Sequence, residues 1–189
     1  MLDEIAAEIR QCRRCALHEK RTLAVPGEGD PQAPIMLIGE GPGAQEDLQG
    51  RPFVGPAGQL LDELLTRAGL QRQDVFITNI VKCRPPGNRD PLPEEVGACR
   101  DFLFGQIAAI NPKVVCTLGR PALQALIDPN ASIGREHGKP RYLYGKLFVP
   151  LYHPAAALHQ QSLRPELVAD MARLEGFIRD ALSMHGHHV

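Results

Sequence analysis

The chain has 189 residues, 43% hydrophobic and 23% charged, with 21 basic and 22 acidic side chains for a net charge of −1. That length suits one domain built on a single core. The balance excludes a global basic field for holding nucleic acid, and no apolar run is long enough to span a bilayer.

Residues 1–11 read as a short amphipathic helix with Leu2, Ile5 and Ile9 on one side. The acidic start, Met1-Leu2-Asp3-Glu4-Ile5, lacks the apolar region of a signal peptide, so a cytoplasmic protein is expected. Residues 34–39 form a buried strand, and about 56–69 a helix with Leu60, Leu61, Leu64 and Leu65 inward. Residues 75–80 form a second strand, followed by a loop rich in Pro and Arg from Lys82 to Pro93. Pro93-Glu94-Glu95 suits the opening of a third helix. A third strand covers 113–118 and a short helix Arg120 to Ile127. Residues 142–149 alternate and turn at Gly145, as a hairpin does. Leu151-Tyr152-His153-Pro154 closes the last strand, residues 165–183 form a helix, and the tail 184–189 is expected to fray. Strands alternating with helices argue for an α/β fold with a parallel sheet covered on both faces.

The first strand runs into Gly39-Glu40-Gly41-Pro42-Gly43-Ala44-Gln45-Glu46-Asp47, and Gly50-Arg51-Pro52-Phe53-Val54-Gly55 follows. Open α/β sheets bind ligands at the carboxyl ends of their strands, where glycines let the backbone come close and an aromatic ring can stack. An ordinary strand-to-helix connection is the simpler alternative for such a loop. His153 falls at the same edge, so Glu40, Phe53, Asn79 and His153 can converge there. Basic residues cluster at Arg10, Arg13, Arg14, Lys20 and Arg21, at Lys82, Arg84 and Arg89, and between Arg135 and Lys146. Each group suits either a phosphate contact or a solvated face.

Of five cysteines, Cys12 and Cys15 form a Cys-x2-Cys pair, and Cys83 and Cys99 lie downstream with 15 residues between them. In a reducing compartment such thiols point to metal or redox chemistry, and four thiolates satisfy either zinc or an iron–sulfur cluster. Spacing alone leaves the two unresolved. Cys116 sits in a buried strand and reads as a core thiol.

Taken in order, these segments resemble the family 4 uracil-DNA glycosylases. The matching pieces are Gly39 to Gly43, Gly50 to Gly55, Thr78-Asn79-Ile80-Val81-Lys82-Cys83-Arg84-Pro85-Pro86-Gly87-Asn88-Arg89, and His153-Pro154-Ala155-Ala156, within about residues 10–180. The resemblance implies a three-layer α/β/α sandwich with a central, mostly parallel four-stranded sheet. It implies a single glycosylase domain over 1–189, with a cluster-binding segment of about 1–25 packed on it. A 4Fe-4S cluster on Cys12, Cys15, Cys83 and Cys99 is implied, as is uracil-containing DNA, single- or double-stranded, as substrate. A monomer with no membrane contact is the simplest reading.

The resemblance further implies that uracil is flipped into a pocket formed by Gly41, Glu46, Phe53, Asn79 and His153. Phe53 stacks on the ring, Asn79 bonds the Watson–Crick edge, Glu46 crowds C5 against thymine, and His153 donates to O2. Glu40 and His153 are the expected catalytic residues. Gly41 stands where the best-known uracil glycosylases carry a water-positioning aspartate, so Glu40 is the nearest carboxylate and acts by side chain or by backbone. Leu158, Leu163 and Arg164 fall in the expected DNA-binding segment. A crosslinking relative and a non-enzymatic iron–sulfur or zinc DNA-binding module are the rivals. Gly41 in place of glutamine, and a Lys82–Arg89 loop without histidine, favour turnover over crosslinking. A Rossmann nucleotide enzyme is disfavoured, because the third glycine of the first motif comes too early.

Overall fold

The computed structural model describes residues 1–184. In chain order the elements are α1 (Leu2–Gln11), β1 (Glu28–Gly29), β2 (Ile35–Gly39), α2 (Ala44–Gln49), α3 (Pro56–Arg67), β3 (Phe76–Asn79), α4 (Pro93–Ile110), β4 (Val114–Leu118), α5 (Arg120–Leu126), α6 (Ile133–Glu136), β5 (Arg141–Leu143), β6 (Lys146–Leu151), α7 (Pro154–His159), α8 (Arg164–Ala172) and α9 (Leu174–Met184). The expected tail lies, beyond Met184, outside the described residues.

The sheet order is β1-β3-β2-β4-β6-β5. The four central strands are parallel, as expected, and a short antiparallel strand extends each edge. At one edge β5 and β6 are the expected hairpin, turning at Tyr144 and Gly145, both with positive φ. At the other, β1 has only two residues, too few for an alternating pattern. It lies against β3 because Gly29 lacks a side chain: a Cβ there would stand 1.9 Å from the Val75 carbonyl oxygen.

Ile35-Met36-Leu37-Ile38 is apolar throughout because both faces of β2 are covered. Ile35 and Leu37 pack with Leu61, Leu64 and Leu65 of α3 and with Leu167 and Met171 of α8. Met36 and Ile38 pack on the opposite face with Leu103 and Ile110 of α4 and Ala122 of α5. The result is the three-layer sandwich, and each fully buried leucine contributes about 1.5–3 kcal/mol. Cys116 is a core thiol, fully buried in β4. A third, smaller cluster of Ile9, Leu17, Val81 and Phe102 fastens the N-terminal segment to α4.

Three helices lie in stretches expected to be loops or strand: α2, α6 and α7. Strand β6 stops at Leu151, so His153 begins a helix instead of ending a strand. The single helix expected over 165–183 is two. Around Arg173 the backbone tightens, with its N–H bonding back to the Asp170 carbonyl at 3.2 Å, and a new helix starts at Leu174.

The chain leaves β2 toward β3 on one side and reaches β4 on the other. The crevice beyond β2 and β4 is therefore the switch point of the sheet. Gly39 pairs with Asn79 and Leu118 with Leu151, so the residues that follow these strands reach one rim.

Candidate active site

A cleft of about 490 Å³ opens at that rim, and Glu40, Gly41, Glu46, Phe53, Asn79 and His153 all line it. The residues expected to converge do so. Leu158, Leu163 and Arg164 do not line it.

Phe53 adopts φ 50°, which is costly for an aromatic residue, and its neighbours hold it there. Glu46, in the first turn of α2, accepts three backbone N–H groups: Gly43 at 3.0 Å, Val54 at 2.9 Å and Gly55 at 2.7 Å. One carboxylate thereby ties both glycine loops together. From behind, Arg72 donates to the carbonyl of Phe53 at 2.7 Å and to that of Pro52. Arg72 is braced by Glu28 at 3.1 Å, and Glu28 also takes Arg51 in a two-pronged pair at 2.8 and 2.9 Å. The Phe53 ring lies against the imidazole of His153, with centroids 5.4 Å apart and planes at 27°.

Asn79 ends β3 and is 2% exposed. Among the described residues its Oδ1 has no hydrogen-bond partner. Leaving such an acceptor unpaired costs about 1–3 kcal/mol, so a donor from a bound ligand is the natural complement. Gly39 makes the arrangement possible. A Cβ there would come within 2.6 Å of Asn79 Oδ1 and 2.7 Å of the Phe53 ring. Gly41 is similarly confined, with Val81 Cγ2 2.9 Å from where its Cβ would be.

His153 caps α7, its Nδ1 accepting the Ala155 N–H at 3.0 Å. With Nδ1 an acceptor, the ring proton sits on Nε2. Burial pushes the imidazole pKa down to about 4, with Glu46 opposing. At neutral pH His153 is an uncharged ring with one N–H to donate.

Burial lifts the Glu40 pKa to about 8, helped by a hydrogen bond with Asp90 and the Asp90 charge and opposed by Arg120. Arg120 forms an ion pair with Asp90. Asp90 and Arg120 line the same cleft, and neither was expected from the sequence. For Arg120 a signal existed: it stands two residues beyond a parallel strand, at the rim where ligands bind.

Comparison with known proteins gives the chain a family. A profile of the uracil DNA glycosylase superfamily matches residues 26–173. The chain belongs to that superfamily. It is 47% identical over 181 residues to the type-4 uracil-DNA glycosylase of Archaeoglobus fulgidus, covering 92% of this chain and 91% of that one. The type-4 enzyme of Thermotoga maritima is 44% identical over 183 residues, covering 95% of each. That of Saccharolobus solfataricus is 47% identical over 191 residues, covering 96% of this chain and 87% of its own.

In this superfamily member the four expected thiols gather away from the cleft. Cys12, Cys15, Cys83 and Cys99 line one small cavity between the N-terminal segment and α4. Among the described residues no group of three or more Cys, His, Asp or Glu is arranged to hold a metal ion as it stands. The donor set nonetheless fits an iron–sulfur cluster. It has four thiols, with N–H donors already aimed at sulfur: Arg21 Nη1 at 3.3 Å from Cys83 Sγ and the Arg14 amide at 3.4 Å from Cys12 Sγ.

The second basic group does not form one solvated face. Lys82 is 1% exposed, and Arg89 is held by Glu95 at 2.7 Å. Of the DNA-binding candidates, Leu158 and Arg164 line a second pocket outside the cleft. Leu158 is exposed on α7, 42% accessible, while Leu163 is half-buried against the core. Arg164 is paired with Glu63 at 3.0 Å. Among the described residues no helix is long and apolar enough to cross a membrane.

Proposed function

We propose that this chain is a monofunctional uracil-DNA glycosylase of the type-4 class. It hydrolyses the bond between uracil and deoxyribose in single- or double-stranded DNA and leaves an abasic site. The observation that carries the reading is the buried, unpaired Oδ1 of Asn79 beside the Phe53 ring and the neutral His153.

Uracil supplies what this acceptor lacks. Its N3–H donates to Asn79 Oδ1, and its O4 accepts from the Asn79 amide. Cytosine offers an acceptor at N3 and a donor at its amino group, leaving the amide mismatched on both atoms. Phe53 stacks on the flipped base. Glu46 acts against thymine through the wall it fixes at Val54 and Gly55. His153 Nε2–H donates to O2, where negative charge gathers as the base departs, while the sugar passes through an oxocarbenium-like state. Gly41 keeps the floor of the pocket free of a side chain. Glu40, with Asp90, stands where water must approach the sugar. Leu158 or Leu163 fills the stack that the flipped nucleotide vacates, and Arg164 exchanges Glu63 for a phosphate.

Cys12, Cys15, Cys83 and Cys99 hold a 4Fe-4S cluster. When bound, it supplies four metal–sulfur bonds that cross-link the segment of about residues 1–25 to the rest of a single domain. A cytoplasmic monomer in base excision repair is the accompanying expectation.

The test is single-turnover cleavage of uracil oligonucleotides by anaerobically purified protein. A free abasic product that breaks in alkali supports the reading. A heat-stable protein–DNA adduct moves the chain to the crosslinking relatives, and no reaction leaves a binding module.

A further inference from the structure

The geometry points to Lys82 as a positioning residue that holds Asn79 in its base-reading orientation. Lys82 is 1% exposed, yet its Nζ makes three hydrogen bonds: to Thr78 Oγ1 at 2.6 Å, to Gln106 Oε1 at 2.7 Å and to the Asn79 carbonyl at 2.9 Å. None of the three partners can donate back. Thr78 Oγ1 gives its proton to the Pro26 carbonyl at 2.8 Å, and Gln106 uses its amide nitrogen on that same carbonyl at 2.8 Å. Burial pulls the Lys82 pKa down to about 7, while the three acceptors favour the ammonium form, whose three protons satisfy all of them.

Among the described residues no carboxylate is a hydrogen-bond partner of this ammonium. Burying one in that way costs several kcal/mol in general, and an apolar side chain of like length would fill the space without that cost. Its bonds say what the charge does instead. The peptide that follows Asn79 is pinned at both ends: the Ile80 N–H bonds to the Gly39 carbonyl at 2.9 Å, and the Asn79 carbonyl bonds to Lys82. Two pins on one peptide plane fix the Asn79 backbone torsion, and with it the direction in which the unpaired Oδ1 points. Without Lys82 only one pin remains. Gln106 and Thr78 keep the ammonium in place, and the Val25 N–H holds the Lys82 carbonyl at 2.7 Å.

This inference rests on the reading of Asn79 as the residue that recognises uracil. Its test is a double-mutant cycle on single-turnover cleavage of a single-stranded uracil oligonucleotide, using iron-loaded full-length protein. Lys82→Met in the Asn79 background should slow cleavage about tenfold or more, whereas in the Asn79→Ala background it should change the rate by less than about twofold. Effects that multiply would overturn the inference, since a merely structural lysine acts regardless of residue 79. A Lys82→Met rate equal to wild type would do the same. If Lys82→Met does not fold, Gln106→Met, which removes one of the three acceptors, takes its place in the cycle. A smaller effect, again absent in the Asn79→Ala background, is then expected, and multiplying effects overturn the inference. Wild-type cleavage by Asn79→Ala alone would show that the base-reading assignment itself had failed.

Discussion

Glu40 and Asp90 meet at the mouth of the cleft as a carboxyl pair bound by a hydrogen bond, with Arg120 gripping Asp90. The inner member is therefore protonated well above the ordinary carboxylate range, with its pKa near 8. If its side chain accepts a proton from water, single-turnover cleavage should rise as pH increases toward 8. Asp90→Ala should move the inflection down, though not to the ordinary value, because burial is the larger cause. A rate flat between pH 6 and 9 would mean that Glu40 acts through its backbone.

The same shift has a consequence for stability. A carboxyl whose pKa is raised on folding favours the native state while it is protonated. That contribution is full below the unfolded value near 4.5 and is lost as pH rises through about 8. Thermal unfolding should show this decline in the wild type, and Glu40→Gln should flatten it. Equal slopes in the two proteins would place the proton elsewhere.

His153→Ala removes one neutral donor to the departing base, and cleavage should fall about 10²-fold or more. The unfolding midpoint should change far less, since among the described residues the Ala155 N–H is the ring's one hydrogen bond. Near wild-type cleavage would exclude His153 from the chemistry.

Gly39→Ala adds one methyl group where Asn79 Oδ1 would be 2.6 Å away and the Phe53 ring 2.7 Å away. Both groups must shift. Cleavage should drop about as far as for a direct site substitution, on the order of 10²-fold, because small misplacements cost that much. Full activity would mean that the pocket can give way.

Cys83→Ala should yield protein without brown colour or bound iron, and less of it soluble, because metal binding and folding are linked. Visible absorbance and iron per chain measure this. A brown variant would remove Cys83 from the ligand set, and zinc in the wild type would overturn the cluster.

Most of the framework was legible because it rests on periodicity and punctuation. Unbroken apolar runs marked the parallel strands, and Pro56 and Pro93 marked helix starts. The rim position of Glu40, Asn79 and His153 then followed from parallel order alone. Helix α7 was missed although Pro154 and three alanines are helix signals, because a capping histidine is uncommon and Tyr152-His153 read as strand. Glu46 was legible as a site residue but not as a clasp: two of its three amide partners come from a loop eight residues on. Asp90 and Lys82 were beyond reach for one reason. Both have charges that normally face water, and only the tertiary path turns one toward Glu40 and the other into the core.

Val25 donates to the Lys82 carbonyl, and Pro26 receives both Thr78 and Gln106. The superfamily profile starts at residue 26. A chain trimmed to that boundary would keep every cleft residue, yet lose Cys12, Cys15 and the Val25 amide. Truncation for expression, fusion or miniaturisation should therefore leave the first 25 residues in place. The smallest working unit of this chain is expected to be longer than the stretch its family profile matches.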